Sequence, residues 1–423
     1  MSAGSEDSDV RGRRVWFGRA GRAVAALLAA AVFVASGYGW TRYRDLDEGI
    51  RRSGALGALD ATPTPTYSSA SGHDASVLAS QNLLVIGLDS RLDENGDPLP
   101  PAVYQAMDTG GPDVGGYNAN VLMLVHIPGD GSRATAVSVP RDDYVALPGH
   151  PDGVILGKIK QAYGLAFDQE HRMLVAQGVS DKTALEQRSR DAGRQAQIAA
   201  VTQFLGVPVD HFVEVTLVAF YEIAQVVAPI TVCLNEDTHD SYSGADFHRG
   251  YQQIGAAQAV AFVRQRRDDR HPQLNFTDLD RERRQQAFIA SLAYQLRQAG
   301  TLSDLARLSA LIAVAQQNTA VDSGLNLLDL ATQTTALTSG RVSFVTLPIV
   351  RFGTDSLGED VNIVDPATVK ATVQRLFSPA AMAPTATPTA ATTATGTATA
   401  PAVPVPDGSA GDDTNTAGIP CVN

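Results

Sequence analysis

Four short apolar runs end in turn residues: 83–88 (LLVIGL), 121–127 (VLMLVHI), 135–139 (TAVSV) and 342–348 (VSFVTLP). Continuous apolar runs of that length predict buried strands. Between them apolar positions recur at helical spacing. Helices are predicted over 180–205, whose first half is strongly charged, over 253–263 (QIGAAQAVAFV) and over 284–296 (RQQAFIASLAYQL), with Phe288, Leu292 and Leu296 of the last on one stripe. Strands interleaved with helices predict a mixed α/β sandwich around a central sheet. No repeat at a solenoid period is present.

A different pattern opens the chain. Residues 23–40 (AVAALLAAAVFVASGYGW) are uncharged and would rise about 27 Å as a helix, close to the hydrocarbon thickness of a bilayer. Arg11, Arg13, Arg14, Arg19 and Arg22 precede the run, whereas Arg42 and Arg44 follow it amid Asp45, Asp47 and Glu48. This asymmetry predicts residues 1–22 in the cytoplasm, 23–40 as a single transmembrane helix and the rest outside the cell membrane. A cleaved signal, with Val34-Ala35-Ser36 as its cleavage site, is the alternative and exports the same domain. Residues 41–80 read as a polar stalk, 81–378 as the folded domain, and the Ala/Thr/Pro-rich 379–423 as a disordered tail, because that composition buries too little apolar surface to fold.

The formal charge of −12 argues against a nucleic-acid partner, which calls for a basic field toward phosphate. The eight histidines include no pair at i,i+4 spacing, so no zinc site is expected. Cys233 and Cys421 are the only cysteines. In an exported chain they are expected to form a disulfide; an unpaired, buried Cys233 and an intermolecular bond of Cys421 stay open as alternatives.

Against the acidic background, arginines gather at predicted element ends. The first strand runs directly into Asp89-Ser90-Arg91, and strand 135–139 into Pro140-Arg141-Asp142-Asp143. Both would emerge at one sheet edge, where open α/β sheets bind ligands, if the two strands are parallel neighbours. Lys158 follows in GKIKQAYG. Arg264 and Arg266 end one predicted helix, and Asp278 begins the next, with Arg281 and Arg284 a turn apart on the same face. Each group alone reads as helix-end electrostatics or a local ion pair. Together they favour an anion site, since Arg grips phosphate in a bidentate fork and carboxylates can hold a bridging divalent cation. Arg141 and Arg264 are expected to face that anion rather than a core carboxylate.

In sequence order the motifs NLLVIGLDSR (82–91), VLMLVHIPGDG (121–131), AVSVPRDDYV (136–145), KIKQAYG (158–164), FLGVPVDHFVEVTLVAFYEIAQVV (204–227), AQAVAFVRQR (257–266) and DLDRERRQQAFI (278–289) resemble the LytR-CpsA-Psr family of wall-polymer ligases. VNIVDPATV (361–369) resembles the domain end of its actinobacterial members. The resemblance implies an α/β/α sandwich with a mixed central sheet whose core admits a polyprenyl tail. It further implies a Mg²⁺-dependent phosphotransferase, with a possible pyrophosphatase side activity. The donor would be a polyprenyl-pyrophosphate-linked glycopolymer and the acceptor peptidoglycan. Carried over residue by residue, it puts Asp89 in the magnesium and pyrophosphate site and gives Arg91, Arg141, Arg264, Arg266, Arg281 and Arg284 the neutralisation of pyrophosphate. Lys158, Gln285 and Gln286 are expected to help bind substrate, and Asp142 or Asp278 to accept the attacking hydroxyl's proton.

The chain departs from the family pattern in places. Asn118-Ala119-Asn120 stands where the family commonly has an Arg-x-Asp pair, so Asn120 would offer the metal an oxygen without a charge. Lys160 stands where the family often has Asn, residues 165–203 read as a long insertion, and the usual C-terminal accessory domain is not evident. Two other functions stay open: a non-catalytic binder of polyprenyl phosphate or wall polymer, and a membrane-bound transcriptional attenuator. The second is disfavoured because about 22 cytoplasmic residues are too few for a DNA-reading domain.

Overall fold

The structure, a computed structural model, describes residues 41–60, 80–130, 133–272, 276–298, 304–327, 330, 342–378 and 419–423. The expected transmembrane helix at 23–40 lies outside the described residues. The chain divides into two units, 1–49 and 50–423. Of the first, residues 41–49 are described and are helical; no described helix is long and apolar enough to cross a membrane.

The second unit is built on a seven-stranded sheet. Its strands are Arg51–Ser53 (β1), Gln81–Leu88 (β2), Ala119–Ile127 (β3), Ala134–Ser138 (β4), His211–Val215 (β5), Thr319–Asp322 (β6) and Val342–Thr346 (β7), in the order β1-β6-β5-β2-β3-β4-β7. β2 runs parallel to β5, β4 to β7 and β1 to β6, while β3 is antiparallel to both β2 and β4. The sheet is therefore mixed, as expected. Because β2 and β4 flank β3, they run in the same direction without being neighbours. Their C-terminal ends still share one edge, but a strand's width separates the Asp89 and Arg141 turns, which corrects the expectation of adjacent parallel strands.

Alternation along β2 sends Leu84, Ile86 and Leu88 into one core and Leu83 and Val85 toward the other face. Helices Gln161–Ala176 (α2), Lys182–Leu205 (α3) and Pro366–Leu376 (α8) cover the first face through Phe167, Ile198, Val201, Phe204, Val369 and Val373. The opposite layer holds Pro101–Met107 (α1), Leu217–Val227 (α4), Ala256–Arg264 (α5), Asp278–Gln298 (α6) and Leu305–Asn318 (α7). There Phe262, Phe288 and Leu292 pack on a side sheet of 250–254, 230–234 and 421–422. The stripe Phe288, Leu292 and Leu296 lies in this core. Helix ends follow the sequence: Asp181 caps α3 by accepting from Ala184 N at 2.6 Å, and Gly206 ends it at φ 72°.

Two expected boundaries move. The stalk expected at 41–80 contains β1, whose Ser53 Oγ donates to Asp191 at 2.6 Å. Three polar residues on a sheet edge show no apolar alternation, so composition conceals them. Similarly, the tail does not end free. Cys421 and Val422 pair in parallel with Cys233 and Leu234, Ile419 and Val422 are buried, and Cys421 is disulfide-bonded to Cys233 across 188 residues. A composition window dominated by Ala, Thr and Pro masks this short apolar anchor.

Reducing the disulfide removes a cross-link that restricts the unfolded chain, and such cross-links typically contribute ~2–4 kcal/mol. Thermal unfolding with and without a thiol reductant is expected to show a lower Tm in the reduced form. The variant Cys421→Ser should show the same lower Tm under both conditions.

Candidate functional site

A cavity of about 820 Å³ opens between the sheet edge, α4, α6 and the hairpin 351–363. It brings together Asp89, Arg91 and Asn120 from the β2–β3 end with Arg141 and Asp142 from the end of β4. Arg264 and Arg266 enter from the end of α5, and Asp278, Arg281 and Gln285 from α6. The rest of the lining includes Val85, Val121, Val215, Leu217, Phe220 and Ile289. The site is thus cationic in one part and apolar in another.

The cations are interleaved with carboxylates and carbonyls. Arg91, buried, donates from Nη1 to both the main-chain oxygen and the carboxylate of Asp89, and from Nε to Thr109 O at 3.3 Å. Gly115, at φ +95°, leaves the room that Arg91 occupies; a Cβ there would collide with the guanidinium and with Asp89 O. Arg141 Nε donates to Asp278 Oδ2 at 3.1 Å, Arg281 Nη2 lies 2.9 Å from the same carboxylate and Arg266 Nε 3.8 Å from it. Arg141 therefore faces a buried carboxylate, contrary to the expectation from sequence. Its backbone leaves the strand beside the start of α6, and Asp278 is the nearest anion. Arg264 instead donates to the main-chain oxygens of Met107 and Asp108 at 3.4 and 2.8 Å, the carbonyls left open at the end of α1.

This crowding weakens the hold of protons. Burial, then repulsion from Arg91, lowers the Arg264 pKa. Burial, then repulsion from Arg141, pushes Arg281 down to about 10. Lys160, 2.6 Å from Asp142, is lowered by burial and by Arg141. Groups so placed hold excess positive charge, which an anion would relieve.

Three expected site residues do not line the cavity. Along α6, residues 278, 281, 285 and 289 lie at spacings of three and four and form one stripe facing it. Arg284 shares its side of the helix with Phe288: its Nε donates to Asn423 O at 2.7 Å, and its guanidinium sits 5.1 Å from the Phe262 ring and 5.6 Å from that of Phe276. Gln286 turns to the sheet, donating to Ser138 Oγ at 2.8 Å and Thr346 Oγ1 at 2.9 Å. Lys158 pairs with Glu359 at 2.8 Å. Three-residue spacing alone would place Arg284 beside Arg281 on one face; the structure divides them, because Arg284 finds Asn423 O and the aromatic rings instead of the cavity.

The hairpin 351–363 contributes residues that the sequence reading did not assign to the site, although Asn362 lies in the motif VNIVDPATV. Asn362 N donates to Asp142 O at 2.8 Å and its Nδ2 to Asp143 Oδ1 at 3.1 Å. Phe352 lines the cavity although it is half exposed. Behind Asp278 lies Glu282, buried, with neither carboxylate oxygen hydrogen-bonded. Among the described residues no group of three or more His, Cys, Asp or Glu is arranged to hold a metal. Asp89 and Asn120 are two of the oxygen donors that line the cavity, beside Asp142, Asp240 and Asp278, and the Asn120 Oδ1 is buried in its wall without a hydrogen-bond partner.

A model of the LytR_cpsA_psr family matches residues 61–378. The chain belongs to this family. The cell wall biosynthesis protein LcpA of Corynebacterium glutamicum is 35% identical over 364 residues, 86% of this chain and 66% of LcpA, so the chain spans just under two thirds of that relative. The polyisoprenyl-teichoic acid–peptidoglycan teichoic acid transferase TagU of Bacillus subtilis is 27% identical over 165 residues, 39% of this chain and 43% of TagU. The crystal structure of protein gbs0355 from Streptococcus agalactiae superposes with a TM-score of 0.50 at 16% identity, covering 70% of this chain and 86% of that one. That likeness is one of fold and agrees with the mixed central sheet of LytR_cpsA_psr proteins.

Glu282 supplies a pH test. Burial, then the nearby Asp278 and Asp143, raise its pKa well above the ordinary carboxylate value. The folded protein keeps it protonated where the unfolded chain would release the proton, so the stability penalty is absent below about pH 4.3 and grows as pH rises above it. Glu282→Gln is therefore expected to raise Tm at pH 7, with the gain disappearing toward pH 4 in parallel melting curves.

Proposed function

We propose that this chain is a membrane-anchored phosphotransferase whose extracytoplasmic domain moves a glycopolymer from a polyprenyl-pyrophosphate carrier to peptidoglycan. The observation that carries this reading is the divided cavity: a crowded set of guanidiniums beside an apolar wall suits an amphiphile with a doubly phosphorylated head and a hydrocarbon tail. The names of LcpA, for cell wall biosynthesis, and of TagU, for transfer of a polyisoprenyl-linked teichoic acid to peptidoglycan, support the reaction class. The apolar run 23–40 behind its arginines supports the anchor.

The chemistry asks the protein for position and charge rather than for a covalent nucleophile. An acceptor hydroxyl oxygen bonds to the polymer-side phosphorus as the bond to polyprenyl phosphate breaks. Polyprenyl phosphate leaves, and the hydroxyl proton passes to a base. With water in place of the acceptor, the same displacement would be a pyrophosphatase side activity. Arg264 is held by main-chain oxygens rather than by a carboxylate, so its charge remains available to the phosphates. Arg141 and Arg281 are fixed in place by Asp278. Burial acts to raise the Asp142 pKa, but Arg141 and Lys160 outweigh it and hold the group below the ordinary carboxylate range. So weak a base orients the hydroxyl more than it captures its proton. Mg²⁺, held by Asp89 and Asn120, would add charge neutralisation on phosphate oxygens.

Incubating the full chain in lipid with a polyprenyl-pyrophosphate-linked glycan and peptidoglycan is expected to yield covalently attached glycan and polyprenyl phosphate. Binding of the lipid without turnover would instead make the protein a carrier. Arg264→Ala should lower the rate by about 100-fold, the scale of losing one preorganised charge partner, with little change in Tm. Arg141→Ala should lower both rate and Tm, because it leaves Asp278 short of a partner.

Asn120→Asp adds a charged oxygen at the proposed metal position and is expected to tighten Mg²⁺ binding. Equilibrium dialysis of the two forms reads this without relying on turnover. Equal affinities would remove Asn120 from the ligand set.

A further inference from the structure

One side of the charged first half of α3, within the segment that the sequence marks as an insertion, is buried: Glu186, Arg190 and Arg194 face inward while Lys182 and Arg188 stay exposed. Arg190 and Arg194 are 0% exposed. Arg190 Nε donates to Glu186 at 2.7 Å, and its Nη1 reaches Glu94 at 3.0 Å and Glu214 at 3.2 Å. Arg194 donates to Glu214 from Nε at 3.1 Å and to Glu94 from Nη2. Glu214 belongs to β5 and lies opposite Ile86 of β2, so the cluster is rooted in the centre of the sheet. Yet none of these α3 side chains lines the cavity.

What they hold are the two segments that carry the site. Arg190 Nη2 donates to Asp93 O at 2.8 Å and Gln187 Nε2 to Glu94 O at 2.6 Å, which fixes the turn that follows Arg91. Tyr117 OH donates to Glu186 at 2.6 Å, the Arg190 guanidinium lies 5.2 Å from the Tyr117 ring, and that ring stacks on Phe167 at 3.8 Å. Tyr117 immediately precedes the Asn118–Asn120 stretch. The two segments are also joined to each other, because Asp89 N donates to Asn118 O at 3.0 Å.

We propose that α3 is a positioning helix: Glu186, Gln187, Arg190 and Arg194 clamp the loop after Arg91 and the segment before Asn120, so that Asp89, Arg91 and Asn120 meet at the cavity wall. The proposal rests on the anion-site reading given above and deepens it by adding residues that act through others. Guanidinium suits the role because its planar fork serves several acceptors at once, which an ammonium cannot do in fixed directions. Displacing reactive groups by about an ångström is enough to cost a large factor in function.

In the full chain, Glu94→Gln keeps the side chain's shape while removing one charge, and Gln187→Ala removes a single donor. His211→Asn replaces the imidazole of the 2.8 Å His211–Asp322 pair between β5 and β6 by an uncharged amide and serves as a destabilised control. Three quantities are measured for each: thermal unfolding, calorimetric affinity for inorganic pyrophosphate, and amide hydrogen exchange. The expected result is pyrophosphate binding weakened about tenfold in Glu94→Gln and about threefold in Gln187→Ala, with faster exchange confined to residues 89–97 and 117–120. His211→Asn should bind pyrophosphate normally despite its lower Tm. Affinity that simply follows Tm across the three variants, or exchange that quickens evenly over the sheet, overturns the proposal. If the parent chain binds no pyrophosphate, the functional reading fails, and the exchange pattern alone decides the role of α3.

Discussion

Guanidinium groups do not gather in a protein interior unless something offsets their mutual repulsion. Two like charges about 4 Å apart repel by roughly 4 kcal/mol at the effective dielectric of a protein site, against about 1 kcal/mol in water. Here the offset comes from interleaving. Asp278 lies between Arg141 and Arg281, Asp89 grips Arg91, and Arg264 rests on the open carbonyls at the end of α1. Glu282 and Asp143, both buried beside this set, have pKa values raised by desolvation, which opposes the build-up of negative charge there. The balance keeps the arginines preorganised and still leaves a positive field for an anionic ligand.

The fold supplies this arrangement with few elements. β2 and β4 run in the same direction on either side of β3, so their C-terminal turns deliver Asp89, Arg91, Arg141 and Asp142 to one edge. One stripe of α6 adds Asp278, Arg281 and Gln285 and continues into Ile289, taking the wall from charged to apolar within a single helix face. The neighbouring stripe, with Arg284 and Phe288, belongs to the core and to the terminal strand that the disulfide fixes. Recognition and stability thus share a helix while using different sides of it.

A second buried ionic cluster, on the other face of the sheet, makes Glu186, Arg190 and Arg194 of α3 interior structure. A buried ion pair is weak evidence for stability as such, since desolvation consumes much of the Coulomb gain. Its directional bonds nevertheless specify where the loop after Arg91 and the segment before Asn120 must lie.

How much of this was legible beforehand follows from which interactions are local. Apolar runs and helical spacing are properties of neighbouring residues, so strands β2, β3, β4 and β7, the helices α3, α5 and α6, and the stripe Phe288, Leu292 and Leu296 could be read directly. The ordered motifs that contain Asp89-Ser90-Arg91, Arg141-Asp142 and Arg264-Gln265-Arg266 likewise pointed to residues that line the cavity. The polar strand β1 and the anchor at Cys421 were not legible as elements, because each gains its structure from a partner more than 180 residues away in sequence. Nor does sequence decide that Arg141 meets Asp278, that Arg284 turns into an aromatic core, or that Arg190 and Arg194 are buried. A charge in the sequence has no fixed partner; only the packed chain brings the carboxylate, carbonyl or ring within reach and removes the water that would otherwise solvate it.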